Sequence, residues 1–496
     1  MRWRNILIGC LVIAAGVVTA FAIIERTQAP VGARVLPVPA GDREIAWFNT
    51  TTSGQSWERF VKGVHHAARN TPNLEIDDSR AFQERTTAVP EVIVSWKDRP
   101  GKLHIRWYKQ TNETSAAQWL AALARRNPPP LAIIGGGSSD RARDLARDLN
   151  ERTDWQGPRP LLFITTATAN DVLMDGDLQP RKLTQVYPAR SFRFSFNNEQ
   201  MAKAVVDFVW HTPELRPLGG MPMMKGEPPS PIVFPVYWRD DPYSEDLESK
   251  FWNAVTQATQ GKADLRPAIQ IDYSVGSFDR ANASEASGAR TLLEEIDMEK
   301  EQRALLILPT STAPARRFLR TIVGESPTVG RHLVVVNGDA ISFNDVYRDG
   351  ELLWNVRDLP VPLVFFAHQN PIGWTDTLKP PAATDEVLLF ARMFEVIVQT
   401  VLPNEGEPPA DADQLYDRVK QQRIIPFDGD GNRKDGDEYV VYLAPIITED
   451  GRIRPRAPLQ VWRRSRGKNW HEVETGSPLE APYPMRATDR RAGIDP

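Results

Sequence analysis

The segment Leu131 to Asn170 constrains this chain more than any other. An apolar run, Leu131 to Ile134, passes into Gly135-Gly136-Gly137-Ser138-Ser139-Asp140. Ala142, Leu145, Ala146 and Leu149 then recur at helical spacing and mark one apolar helix face. A Pro-containing link leads to a second apolar run, Leu161 to Ile164, ending in Thr165-Thr166-Ala167-Thr168-Ala169. This order predicts a βαβ unit with parallel strands. Both hydroxyl-rich turns then lie at the carboxyl edge of one sheet, where open α/β sheets bind ligands.

The alternation continues on both sides. Arg43 to Phe48 reads as a strand, and Trp57, Phe60, Val61, Val64 and Ala68 as a helix face. Strands are expected at Val92–Trp96 and Leu103–Tyr108, turning at Pro100-Gly101, and a helix at Ala116, Trp119, Leu120 and Leu123. Later strands are Ile232–Tyr237, Ala304–Leu308 and His332–Val336. Ser244 is the expected N-cap of a helix with Leu247, Phe251, Val255 and Ala258 inward. Thr384 is expected to cap a helix running through Val401, apolar on most sides and sandwiched between layers. Such alternation predicts α/β architecture with parallel sheets, and so much chain requires two lobes. Pro217 to Pro231 reads as a surface loop.

Composition removes several function classes. The net charge of -4 gives no footprint for nucleic-acid binding. The single cysteine, Cys10, forbids an internal disulfide and cysteine-rich metal sites. His65-His66 is the only adjacent histidine pair and reads as a partly exposed helix position. Arg2 and Arg4 precede Ile6 to Ile24, which carries no charge. That run approaches the ~20 residues that span a bilayer, with the basic end cytoplasmic. The rest of the chain is therefore expected outside the cytoplasm, on a retained anchor or after cleavage near Ala20-Phe21-Ala22. Leu7 to Cys10 looks like a lipoprotein box, but too few apolar residues precede it.

The turns carry the candidate chemistry. Glycines allow close approach to the backbone, Ser139 can cap the following helix, and the first amides of that helix favour an anion. By itself this is an ordinary strand-to-helix turn. It is neither GxGxxG nor a phosphate-binding loop, which argues against nucleotides. Threonine hydroxyls one βα unit along can accept from an ammonium or donate to a carboxylate.

Taken in order, these segments resemble the type I periplasmic binding proteins, in particular the branched-chain amino-acid binding branch. The resemblance rests on Gly135 to Ser139, Ala167-Thr168, Val186-Tyr187-Pro188 through Phe194, Val236 through Ser244, and Phe427-Asp428-Gly429-Asp430-Gly431-Asn432-Arg433. It spans roughly Glu44 to Trp462. It implies two α/β lobes, each a parallel sheet flanked by helices, that close on a small ligand. The divisions expected are an anchor over 1–25, a linker over 26–42, lobe 1 over 43–190 and 366–425, lobe 2 over 191–365 and 426–465, and a disordered tail over 466–496. The resemblance gives Ser138, Ser139, Ala167, Thr168 and Tyr243 to the ligand, and implies no catalytic residue, metal or cofactor. Its partners would be a small polar ligand, such as an amino acid or related carboxylate, and the membrane permease of an ABC-type importer.

One departure bears on the ligand. Amino-acid binders of this kind place an acid in lobe 2 against the ammonium. Here the matching stretch, Pro309-Thr310-Ser311-Thr312, has no carboxylate; Thr310 and, in the next strand's loop, Asp339 are the candidates there, and a polar neutral ligand or an anion would suit the hydroxyls as well. Asp428, Asp430 and Asn432 have the opening spacing of a calcium loop, but Arg433 replaces its glycine and Tyr439 its final glutamate, so a tight turn is expected. Two alternatives remain: a membrane-tethered sensing or interaction domain of the same fold, and, remotely, a serine hydrolase using Ser138 or Ser139. The latter lacks the GxSxG elbow.

Overall fold

The apolar runs form the middle of two sheets. The computed structural model describes residues 34–219, 226, 229–272, 278–296, 302–341, 359–370, 385–434, 436–447, 453–454, 459–465 and 467–473. The expected anchor, Cys10, Thr384 and much of the Pro217–Pro231 loop lie outside the described residues. Among the described residues no helix is long and apolar enough to cross a membrane.

The first sheet has seven strands. β1 (Arg43–Thr50) runs at its centre, parallel to β4 (Lys102–Gln110) on one side and β5 (Ala132–Gly135) on the other. β6 (Leu161–Ile164) and β9 (Ser191–Arg193) extend the parallel array. β3 (Glu91–Trp96) and β2 (Leu74–Arg80) close the far edge antiparallel, so the sheet is mixed rather than purely parallel. β2 has no apolar run to announce it, because this edge strand is half exposed. A short hairpin, β7 (Asp171–Val172) with β8 (Arg181–Lys182), follows β6.

Helices cover both faces. α1 (Gly54–Ala68), α8 (Asp385–Val401) and α9 (Ala412–Gln421) pack with Trp47, Ile105 and Phe163 on one side. α2 (Ala116–Ala124) and α3 (Ser139–Glu151) pack on Phe48, Ile133 and Leu162 on the other. The sandwiched position expected for the helix ending at Val401 is where α8 lies, with apolar side chains buried along its whole length.

The second sheet has nine strands. β10 (Ile232–Trp238), β13 (Ala304–Ile307), β14 (Leu333–Val336) and β15 (Leu363–Ala367) run parallel. β11 (Asp264–Leu265) and β12 (Ile269–Ile271) add to the free side of β10. β16 (Glu438–Leu443), β19 (Leu459–Arg464) and β20 (His471–Glu472) continue antiparallel, and β17 (Ile446–Ile447) pairs with β18 (Ile453–Arg454). β20 corrects the expectation of a tail from 466: this stretch pairs with β19, and Val473 is buried. α4 (Asn198–His211) and α5 (Pro242–Ala258) cover one face, α6 (Phe278–Glu295) and α7 (Thr312–Glu325) the other.

The chain passes between the sheets after β9, after β15 and after α9. β9 still belongs to the first sheet, so the first passage falls slightly later than the expected boundary at 190. Gly431 fixes the last passage. Its φ is +83°, an added Cβ would lie 2.0 Å from Ser191 O, and its carbonyl accepts from Arg193 N at 2.8 Å.

Candidate functional site

The two turns of lobe 1 are stitched together at the carboxyl ends of β5 and β6. Gly136 has φ +76°, and an added Cβ would lie 2.8 Å from Ala142 Cβ, so glycine lets α3 start directly against the strand. Ser138 occupies the N-cap position of α3 without a capping side-chain bond, which corrects the assignment of that role to Ser139. Ser139 is buried, and its Oγ accepts from Ala169 N at 3.2 Å. Thr166 Oγ1 donates to Gly137 O at 3.1 Å, and Ala167 N donates to Gly136 O at 2.9 Å. These bonds join the Gly136–Ser139 turn to the Thr166–Ala169 turn.

Thr168 is fully buried, and among the described residues its Oγ1 has no hydrogen-bond partner. Its carbonyl accepts from Asn198 N at 2.8 Å and from Arg193 Nη1 at 3.0 Å, while Arg193 Nη2 donates to Ala169 O at 2.7 Å. Burial lowers the Arg193 guanidinium to about 10, partly offset by the charges of Asp246, Asp428 and Asp171.

Lobe 2 brings a second edge to this one. Asn337, at the end of β14, donates its Nδ2 to Thr310 O at 2.7 Å and so joins the loops after β13 and β14. Tyr243 lies on that same loop: its Oη accepts from Ala340 N at 3.3 Å, and a Cβ on Gly338 would sit 2.7 Å from it. Burial, then the Asp339 charge, pushes this phenol well above its ordinary range. The α5 cap is Asp241, which accepts from Tyr243 N, rather than Ser244, whose Oγ accepts from Trp238 N. Ala258, at the end of α5, is exposed rather than inward.

Asp339 is held by a residue the sequence reading missed. His368, at the end of β15, accepts from Phe196 N at 3.3 Å through Nδ1, so its Nε2 carries the proton and donates to Asp339 Oδ2 at 2.8 Å. Among the described residues Asp339 Oδ1 is buried without a partner, as is Oδ1 of Asp385 at the start of α8, whose carboxyl burial pushes up. Within lobe 2, Asn198 donates its Nδ2 to Tyr243 O at 3.3 Å and to Asp246 Oδ2 at 2.8 Å, while its backbone N reaches across to Thr168 O. Asp246 and His368 had different visibility. An apolar run ending in His368-Gln369-Asn370 repeats the strand-end signal of β6, whereas an acid inside an amphipathic helix carries none.

The Asp428 loop is the expected turn: Asp428 Oδ1 accepts from Asp430 N and Asn432 N at 2.9 and 2.8 Å. Among the described residues no cluster of ligating side chains fit for a metal occurs. His65 bonds Asp78 Oδ2 at 2.9 Å.

No family model matches the chain, and neither does any curated protein. Solved structures do. A leucine binding protein, LivK, from Thermotoga maritima aligns at 15% identity and TM-score 0.51, over 86% of this chain and 99% of its own. An ABC transporter solute binding protein from Rhodopseudomonas palustris HaA2, in complex with p-hydroxybenzoic acid, aligns at 11% identity and TM-score 0.51, over 84% and 96%. A second R. palustris solute binding protein, in complex with 4-hydroxybenzoate, aligns at 9% and 0.50, over 84% and 96%. The chain therefore has the type I periplasmic-binding-protein fold.

Proposed function

We propose that this protein is an extracytoplasmic solute-binding protein that captures a small polar ligand, an amino acid or related carboxylate, between its lobes. The reading rests on two buried polar atoms without a partner among the described residues, Thr168 Oγ1 after β6 of one lobe and Asp339 Oδ1 after β14 of the other. Buried polar groups without partners are costly, and a ligand that satisfies both recovers that cost. Thr168 would serve the carboxylate side and Asp339 the ammonium, with Ser138, Ala167 and Thr310 lining the approach and Tyr243 positioning the Asp339 loop. The likeness to structures of solute-binding proteins supports this reading. The ligand would pass to the permease of an ABC importer, with the protein held at the membrane by its N-terminal segment. The reading assigns no catalytic residue and no cofactor. A thermal-shift screen of the full chain against amino acids and small carboxylates tests it: a dose-dependent rise in Tm is expected for at least one class, and a flat response to all of them refutes it.

One observation favours a second reading, a sensing or interaction domain without transport. Ser139 Oγ already serves Ala169 N, and the next two amides already serve Asp246. Under that reading a partner protein binds with no small-molecule response.

A further inference from the structure

The backbone amides after Ala169 face away from their own lobe. Asn170 N donates to Asp246 Oδ2 at 2.7 Å, and Asp171 N donates to Asp246 Oδ1 at 3.1 Å. Asp246 comes from α5 of the opposite lobe, and the same carboxylate accepts from Asn198 Nδ2 at 2.8 Å. Two N–H groups side by side, one per oxygen, are the arrangement in which backbone receives a carboxylate. Lys250, one helical turn further on, reinforces the contact, with its Nζ 2.5 Å from Asp171 Oδ2 and 3.5 Å from Asp246 Oδ1. Asp246 does not cap its own helix, a role that belongs to Asp241.

A second feature asks for negative charge at this place. Arg193 is 1% exposed, and its described bonds go to the carbonyls of Thr168 and Ala169, on the far side of the same turn. Among the described residues its Nε has no partner. The charges of Asp246, Asp428 and Asp171 offset part of its desolvation, with Asp246 first.

We propose that the Asn170–Asp171 turn is an anion seat that Asp246 fills in cis, latching the two lobes together in the absence of ligand. An anion that binds at the turn has to displace Asp246, whose charge also helps to offset the burial of Arg193. The latch itself is independent of the proposed solute-binding role; only the competition with a ligand carboxylate rests on that role.

Fluorescence transfer across the cleft tests the latch. In the full chain with Cys10→Ser, dyes are placed through Glu151→Cys at the end of α3 and Gln257→Cys near the end of α5, both exposed positions. Without ligand, the parent should show one high-transfer population. Asp246→Ala should lower the closed-to-open ratio by at least about tenfold, the order expected for losing a charge-assisted hydrogen bond. Lys250→Met, which keeps the carboxylate, should lower it less. Acetate, titrated by calorimetry, should bind Asp246→Ala and not the parent. Circular dichroism matching the parent confirms that the variant is folded; should Asp246→Ala not fold, Asp246→Asn takes its place with the same expected direction. Identical transfer distributions in parent and variant overturn the proposal. Loss of the latch together with a flat amino-acid screen of both proteins would sustain the anion seat and refute the solute-binding reading.

Discussion

At the scale of single residues, the site is defined by what its atoms lack. Thr168 Oγ1 is enclosed with no partner among the described residues, so its hydroxyl contributes desolvation cost and no hydrogen bond to them. Thr168→Val should therefore leave unfolding stability within about 1 kcal/mol of the parent, or raise it, while removing ligand response. Urea unfolding beside a ligand thermal shift separates the two effects, and a large stability loss would mean that the hydroxyl has a structural partner. Thr168, Ser139 and Asp339 were legible in the sequence because each follows an apolar strand at a small or Gly-containing turn. Arg193, Asp246 and Asn198 were not. Arg193 bonds the carbonyls of Thr168 and Ala169 in its own lobe, Asp246 and Asn198 act across to the other, and no local pattern records contacts between residues so far apart in the chain.

At the scale of elements, α1 and α8 cross so closely that a side chain on Gly63 has no room. An added Cβ there would lie 2.8 Å from Val387 O and 2.9 Å from Ala391 N, both backbone atoms. Gly63→Ala should cost about 1–3 kcal/mol, as overpacking does, read as a fall in urea midpoint without a change in slope. The same crossing buries Phe390 against Trp47 and Phe60, with ring centroids 5.5 and 6.0 Å apart. Helix α8 was readable as a buried element from its all-round apolar sequence, but its partner was not, because amphipathic pattern gives a face and not an address.

The start of the first sheet carries a buried ion network that links β1, β3 and β4. Glu91 accepts from Arg106 Nε at 2.6 Å and from His104 Nδ1 at 2.8 Å, while Glu44 accepts from Arg106 Nη1 at 2.5 Å and Arg126 Nη1 at 3.0 Å. Burial pushes the Glu91 carboxyl up, but the bonds from His104 and Arg106 outweigh it and bring it from 4.5 to about 2. Burial pulls His104 down, but its bonds to Glu91 and Asp42 outweigh that and raise it above 6.5. A depressed carboxyl stabilises the fold above its unfolded value, and the contribution is lost as pH falls through the folded one; a raised histidine contributes below its unfolded value and is lost as pH rises through the folded one. Stability from this network should thus be greatest between about 4.5 and 6.5, falling toward pH 2. Tm measured against pH should show the acid fall, and Glu91→Gln should flatten it. An unchanged acid limb in that variant would remove Glu91 from the account.

At the scale of the whole molecule, the alternation of strands and helices gave two lobes, but the sheets are mixed because their outer strands return antiparallel. Of those strands Val92–Trp96 is legible as an apolar run, whereas half-exposed β2 and the two-residue β20 are not, and run length says nothing of direction. What the whole molecule adds to the residues is the junction of the lobes, where Asp246 of one accepts from the Asn170 and Asp171 amides of the other. Calorimetric titration of the full chain with amino acids and small carboxylates tests this most directly, run in parallel on the parent, Thr168→Val and Asp339→Asn. The account predicts saturable one-to-one binding of at least one compound by the parent, lost in both variants. Binding that survives both substitutions, or no heat from any compound with the parent, would contradict it.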